Sequence, residues 1–250
     1  IYMSVDKVNP HSIFNRGTMF KLLSSLRKNK GYRPLGYSDT LDYVANFEHA
    51  LNFTKKLGFN EGTVKDINER PLKFEKMMEY VCSATGLRDF KSSAGQCIKW
   101  CHFLKPYFED ALGCRIWTTV GQIWKGDQSI YNPSYDEFER WSRKGFQHED
   151  FLNRPALNLH AWYTTDTGHL IDISYLSSIA GFYSDCHELA GGVLVGKPDE
   201  IFPGHQYVPM ILGDRIIEKI QKKSFIPFLA NDIDELKSIA MVIYPDPDYK

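Results

Sequence analysis

The tightest constraint on this chain is the tripeptide Asp166-Thr167-Gly168, set between two runs that alternate as strands do, Leu157 to Thr164 and His169 to Ser174. Asp and Thr followed by Gly suit a three-residue hairpin loop, a type I turn closed by a glycine in the left-handed region. That loop fixes the register, with Thr165 opposite His169, Trp162 opposite Asp172 and His160 opposite Ser174. Side chains alternate across a strand, so Asn158, His160, Trp162 and Thr164 share one face. His160 and Asp172 become diagonal neighbours on that face, roughly 7–8 Å apart at the backbone and within reach of a histidine-carboxylate hydrogen bond. A two-residue loop would put them on opposite faces. In the favoured register His169 points the other way.

Upstream, Cys97, Cys101, Leu104, Phe108 and Leu112 recur at steps of three and four, which predicts one helix face ending at Gly113. Ser92 and Ser93 are expected as caps, with Gly95 as a flexible joint, so Cys97 falls in the first turn. There the unpaired amides and the positive end of the helix dipole favour a thiolate and offer donors to an oxyanion. A partly exposed Cys97 is expected, and Cys101 one turn on reads as a buried structural thiol. Pro106 removes a backbone donor and crowds the preceding turn, predicting a kink or break near His102 to Lys105. Taken singly, the three residues also fit a core thiol, a satisfied core histidine and a strand-end carboxylate. Together, and in this order, they have the parts of a thiol nucleophile, its base and the group that orients the base.

The rest of the chain divides by pattern. Residues 1–90 read as a mainly helical N-terminal portion, with one helix from Leu41 to Leu57 stopping at Gly58 and another from Leu72 to Gly86. Residues 91–250 read as a core with a C-terminal extension. Cys114 to Trp124 is rich in β-branched and aromatic residues and predicts a strand with Gly121 near a bulge or an end. Residues 125 to 155 form a polar connection with a short helix at Tyr135 to Arg143. Strands are expected at Gly191 to Val195 and Tyr207 to Leu212, and helices at Ile216 to Lys223 and Asp232 to Ala240.

Composition limits the partners. The 250 residues carry a net charge of -1, so no global field recruits nucleic acid or an anionic membrane. The densest basic stretch, Lys21 to Arg33, is short and reads as a solvated helix end. No run of about 18 apolar residues exists to span a membrane, and Ile1-Tyr2-Met3-Ser4 does not read as a signal peptide, although a processed start stays open. Five cysteines is an odd number in a chain of this size, which favours a reducing, cytoplasmic setting over a disulfide framework. Neither Cys97, Cys101 and His102 nor the run Asp185-Cys186-His187-Glu188 offers the four convergent donors of a zinc site. Gly191-Gly192 and Gly196-Lys197 lack phosphate-loop spacing. No metal or organic cofactor is expected.

The stretch Gly95-Gln96-Cys97, then Leu112-Gly113-Cys114-Arg115, a strand closing at Val120-Gly121, His160-Ala161-Trp162 and the later Asp172 resembles the transglutaminase-like superfamily of papain-type folds over about residues 92 to 176. The resemblance implies an α+β fold in which a Cys-bearing helix packs on an antiparallel sheet. It implies Cys97 as nucleophile, His160 as acid and base and Asp172 as orienting group, acting on a peptide or protein amide through a thioester. Gln96 is a side-chain candidate for the oxyanion, with the backbone N–H of Cys97 favoured over it, and Trp162 is expected to shield the His160–Asp172 pair from water. Hydrolysis, deamidation and transamidation share this chemistry, and hydrolysis is favoured because water is always available. Two alternatives are an acyl-coenzyme-A-dependent N-acyltransferase, whose usual arginine and paired glycines before the cysteine are missing here, and an inactive scaffold that keeps the fold.

Overall fold

A computed structural model describes residues 2–4, 42–63, 71–126, 128–152, 157–239 and 241–243. The basic stretch at Lys21 to Arg33 lies outside them. The architecture is α+β: a seven-stranded sheet that is antiparallel apart from one parallel pair, with helices packed against it.

Strand β2 (Ile116–Lys125) is the spine of the sheet. Strand β4 (His160–Thr165) runs along one edge of it, from Ile116 opposite Thr165 to Gly121 opposite His160. Strand β7 (His205–Leu212) lies on the other edge, and β3 (Gln128–Tyr131) continues beyond β4 on the first. From β4 the sheet extends through β5 (Leu170–Asp172) and β6 (Val193–Gly196) to β1 (Tyr2–Ser4), which joins β6 in parallel. The bulge expected near Gly121 is present as a register shift between Val120 and Gly121 against β7. A Cβ at Gly121 would stand 2.0 Å from the Val208 carbonyl oxygen, so only glycine lets the two backbones approach here.

The hairpin register is the one the turn dictates. Tyr163 pairs with Ile171 and Thr164 with Leu170, the Thr165 amide donates to the His169 carbonyl at 2.9 Å, and Gly168 has φ 75°. His169 turns away from the His160 face, its Nδ1 2.9 Å from the Thr167 hydroxyl and its ring edge-on to Phe74.

Helix α1 (Tyr43–Lys56) starts at Asp42, whose carboxylate accepts from the Ala45 amide at 3.0 Å, a standard N-cap. Helix α2 (Met77–Thr85) ends on left-handed Gly86 but begins five residues later than the periodicity predicts. Pro71 opens a non-helical lead in which Phe74 is drawn onto His169. Both helices share one hydrophobic core with the sheet: Phe47 packs edge-on against Trp117 at 5.4 Å, and Tyr43 Oη is 2.6 Å from the Thr164 hydroxyl.

Helix α3 (Cys97–Leu112) ends on left-handed Gly113 and runs through Pro106 without a break, contrary to expectation. Packing explains the difference. Ile98, Trp100, Cys101, Leu104 and Phe108 are buried in the core, and Tyr163 Oη donates to the Cys101 carbonyl at 2.6 Å beside the turn that the proline disturbs. Helix α4 (Tyr135–Lys144) carries a capping box in which Ser134 and Glu137 exchange hydrogen bonds. Helices α5 (Tyr175–Phe182), α6 (Asp214–Lys223) and α7 (Ile233–Lys237) complete the described chain. Three of these elements escaped the sequence pattern: β1, in a segment read as helical; β3, in a segment read as a polar connection; and α5.

Candidate active site

Cys97 opens α3 and His160 opens β4, and this shared position at element ends brings them together. Helix α3 lies against the sheet face that carries Tyr163, whereas His160 and Trp162 alternate onto the opposite face. Only at the start of the strand and the start of the helix can the thiol and the imidazole meet. Gln96 occupies the N-cap position, preceded by left-handed Gly95 with φ 65°. Ser92 and Ser93 are not the caps. The Ser93 hydroxyl bonds to the Phe90 and Ile173 carbonyls and ties the approach of the helix to the end of β5.

Four donors converge on the Asp172 carboxylate. His160 Nε2 donates to Oδ2 at 2.7 Å and Tyr207 Oη to the same oxygen at 2.9 Å. Oδ1 accepts from the amides of Ser174 at 3.1 Å and Tyr175 at 2.9 Å, at the start of α5. Helix α5 therefore supplies backbone donors that fix the carboxylate plane. With Nε2 committed to Asp172, Nδ1 is the nitrogen left for the thiol. Nδ1 is buried with no hydrogen-bond partner, and the Cys97 side chain is among the groups that raise the pKa of the ring.

The imidazole is boxed by aromatic rings. Tyr131 stacks on it at 4.9 Å, Trp162 lies nearly parallel at 6.2 Å and Tyr175 meets it edge-on at 5.5 Å. Trp162 is itself locked, donating Nε1 to Tyr43 Oη at 2.9 Å. Burial on its own would push the His160 pKa down. The charge of Asp172, the hydrogen bond to it and the Cys97 thiol outweigh burial and raise the pKa to about 10 from 6.5. The imidazolium is thus held by the fold, and the sign of its linkage follows. Measured against His160→Gln, the added stability should be complete below pH 6.5 and disappear as pH rises toward about 10. Urea titrations across that range check this, and a stability gap that widens with pH would contradict it.

Cys97 is 1% exposed, and His160 and Asp172 are 0% exposed. The partly exposed thiol expected from the helix start is therefore corrected: Gly95 and Gln96, just before it, are bonded to Ser178, Met241 and Ile243, chain that sequence order places far away. The Gln96 side chain donates Nε2 to the Gly95 carbonyl at 3.1 Å and to the Met241 carbonyl, so in this state it is not open to an oxyanion. The first-turn amides of α3 remain the donors suited to that role. Cys101 is fully buried, and burial holds its thiol well above the ordinary cysteine range, as suits a structural residue. None of the five cysteines is in a disulfide. Among the described residues, no group of three or more His, Cys, Asp and Glu side chains is placed to hold a metal ion.

Tyr131, Tyr175 and Tyr207 were not anticipated as parts of the site. Tyr207 had a signal, lying in a predicted strand, but its reach to Asp172 depends on the pairing of β7 with β2. That pairing is not legible locally.

The fold and these side chains together define an α+β protein with a buried Cys-His-Asp constellation. Comparison with family models, with curated proteins and with solved structures finds no match to this chain. Among the described residues, no helix is long and apolar enough to cross a membrane.

Proposed function

We propose that this protein transfers acyl groups from amides through Cys97, with His160 as acid and base and Asp172 as the group that orients His160, in the manner of the transglutaminase-like enzymes it resembles. One observation carries the reading: the imidazole donates one nitrogen to a carboxylate held by four donors and keeps the other for a thiol at a helix start. A core histidine needs neither the ionic partner nor the thiol.

The chemistry balances without a cofactor. The thiol proton passes to His160 Nδ1 as the Cys97 sulfur attacks the amide carbonyl carbon, and the oxyanion that forms is met by first-turn amides of α3. The C–N bond breaks as imidazolium gives its proton to the departing amine. Water then attacks the thioester, its proton passing to His160; the C–S bond breaks, the acid leaves, and the imidazolium returns the proton to the sulfur. An amine in place of water gives transamidation. The substrate class is a peptide or protein amide, and a reducing compartment such as the cytoplasm suits a chain whose five cysteines form no disulfide. The test is covalent. After exposure to an activated acyl ester, peptide mapping should find the acyl group on Cys97 and on no other cysteine.

A further inference from the structure

The nucleophile is covered, and the segment best placed to cover it is identifiable. Beyond α7 the chain passes Ile239, which is 75% exposed, and returns to bury Met241 at 7% and Ile243 at 2%. The Ile243 amide donates to the Gly95 carbonyl at 2.8 Å, two residues before Cys97. The Leu157 amide donates to the Val242 carbonyl at 3.3 Å, and Leu157 forms a parallel bridge with Ile243 three residues before His160. A short extended strap thus pairs by its backbone with both chain segments that lead into the reacting pair. Its Met241 carbonyl also takes the amide of Gln96, the side chain next to the nucleophile. Lys99 anchors the approach, its ammonium donating to the carbonyls of Glu235 and Ser238 at the end of α7.

We propose that residues 241–243 are an intramolecular plug: an extended peptide seated where an acyl donor's backbone would lie, which holds the site closed until it is displaced. The meaning of the plug rests on the acyl-transfer reading, but the contacts do not. Backbone pairing with Gly95 and Leu157 selects for extended chain rather than for particular side chains, which is what a site for peptide amides requires. A site whose competent state is a minor population shows its reactivity reduced by that fraction.

The test compares iodoacetamide labelling of Cys97 and Cys101 in the full chain as wild type, Ile243→Ala and Lys99→Met. Ile243→Ala shrinks the buried anchor of the strap, and Lys99→Met removes the bonds to the end of α7 while keeping the length of the side chain. In both variants Cys97 should label about tenfold or more faster than in wild type, with Cys101 still protected. Unchanged Cys97 labelling in both variants overturns the plug. So does parallel acceleration of Cys97 and Cys101 in both, since that reports general loosening. If Ile243→Ala does not fold, Lys99→Met decides alone. Cys97 that is freed yet never takes an acyl group would leave the plug standing and remove acyl transfer. Full acyl transfer in wild type, unchanged in the variants, would do the reverse.

Discussion

Cys97→Ala should abolish turnover completely while the protein stays folded, at a cost of about 1 kcal/mol for the small buried volume that is lost. Cys101→Ala should cost a similar amount and keep its activity. The contrast is the informative part, because both thiols are buried on one helix face, at 1% and 0% exposure, and differ in what they meet. Cys101 meets core, with its backbone carbonyl taken by Tyr163. Cys97 meets the free side of an imidazole whose other side is bound to a carboxylate. Turnover assays paired with thermal denaturation check both halves, and activity surviving in Cys97→Ala would remove the thiol from the chemistry.

Asp172→Asn should lower turnover by on the order of 10⁴-fold, the loss seen when a catalytic histidine is left in the wrong tautomer. The local geometry gives the reason. The backbone amides of Ser174 and Tyr175 keep the amide oxygen of the new side chain on their side, so its NH2 group faces His160 Nε2. Nε2 must then accept a hydrogen bond rather than donate one, which moves the imidazole hydrogen to Nδ1 and aims it at the thiol. A ring in that tautomer cannot take the thiol proton. The same change removes the charge that holds the His160 pKa near 10, so the pH-dependent stability contributed by the His160 imidazolium should be lost. Steady-state rates and urea titrations across pH measure the two effects separately. Activity within a few-fold of wild type would leave at most a Cys-His dyad.

The hairpin was legible because its information is local: Asp166-Thr167-Gly168 demands left-handed Gly168, and that loop length alone places Asp172 on the His160 face. Helix α3 was legible from its apolar spacing, and its passage through Pro106 was not, since the packing against Tyr163 comes from a strand residue 62 positions from Cys101 in sequence. The walls of the site were hidden for the same reason. Tyr131 lies on β3, whose turn at Gly126 sits inside what reads as a polar connection, and Tyr207 reaches Asp172 only after β7 has paired with β2. Burial of Cys97 was the largest surprise. A helix start usually meets solvent, and here Met241 to Ile243, with no periodic pattern to announce them, cross it.

The most direct measurement is peptide mapping after exposure to an activated acyl ester, carried out on wild type, Ile243→Ala and Asp172→Asn. The account predicts an acyl mass on the peptide that contains Cys97, formed faster in Ile243→Ala, lost again with time as water cleaves the thioester, and strongly suppressed in Asp172→Asn. Cys97 unmodified in both wild type and Ile243→Ala, or acylated equally in Asp172→Asn, would contradict it.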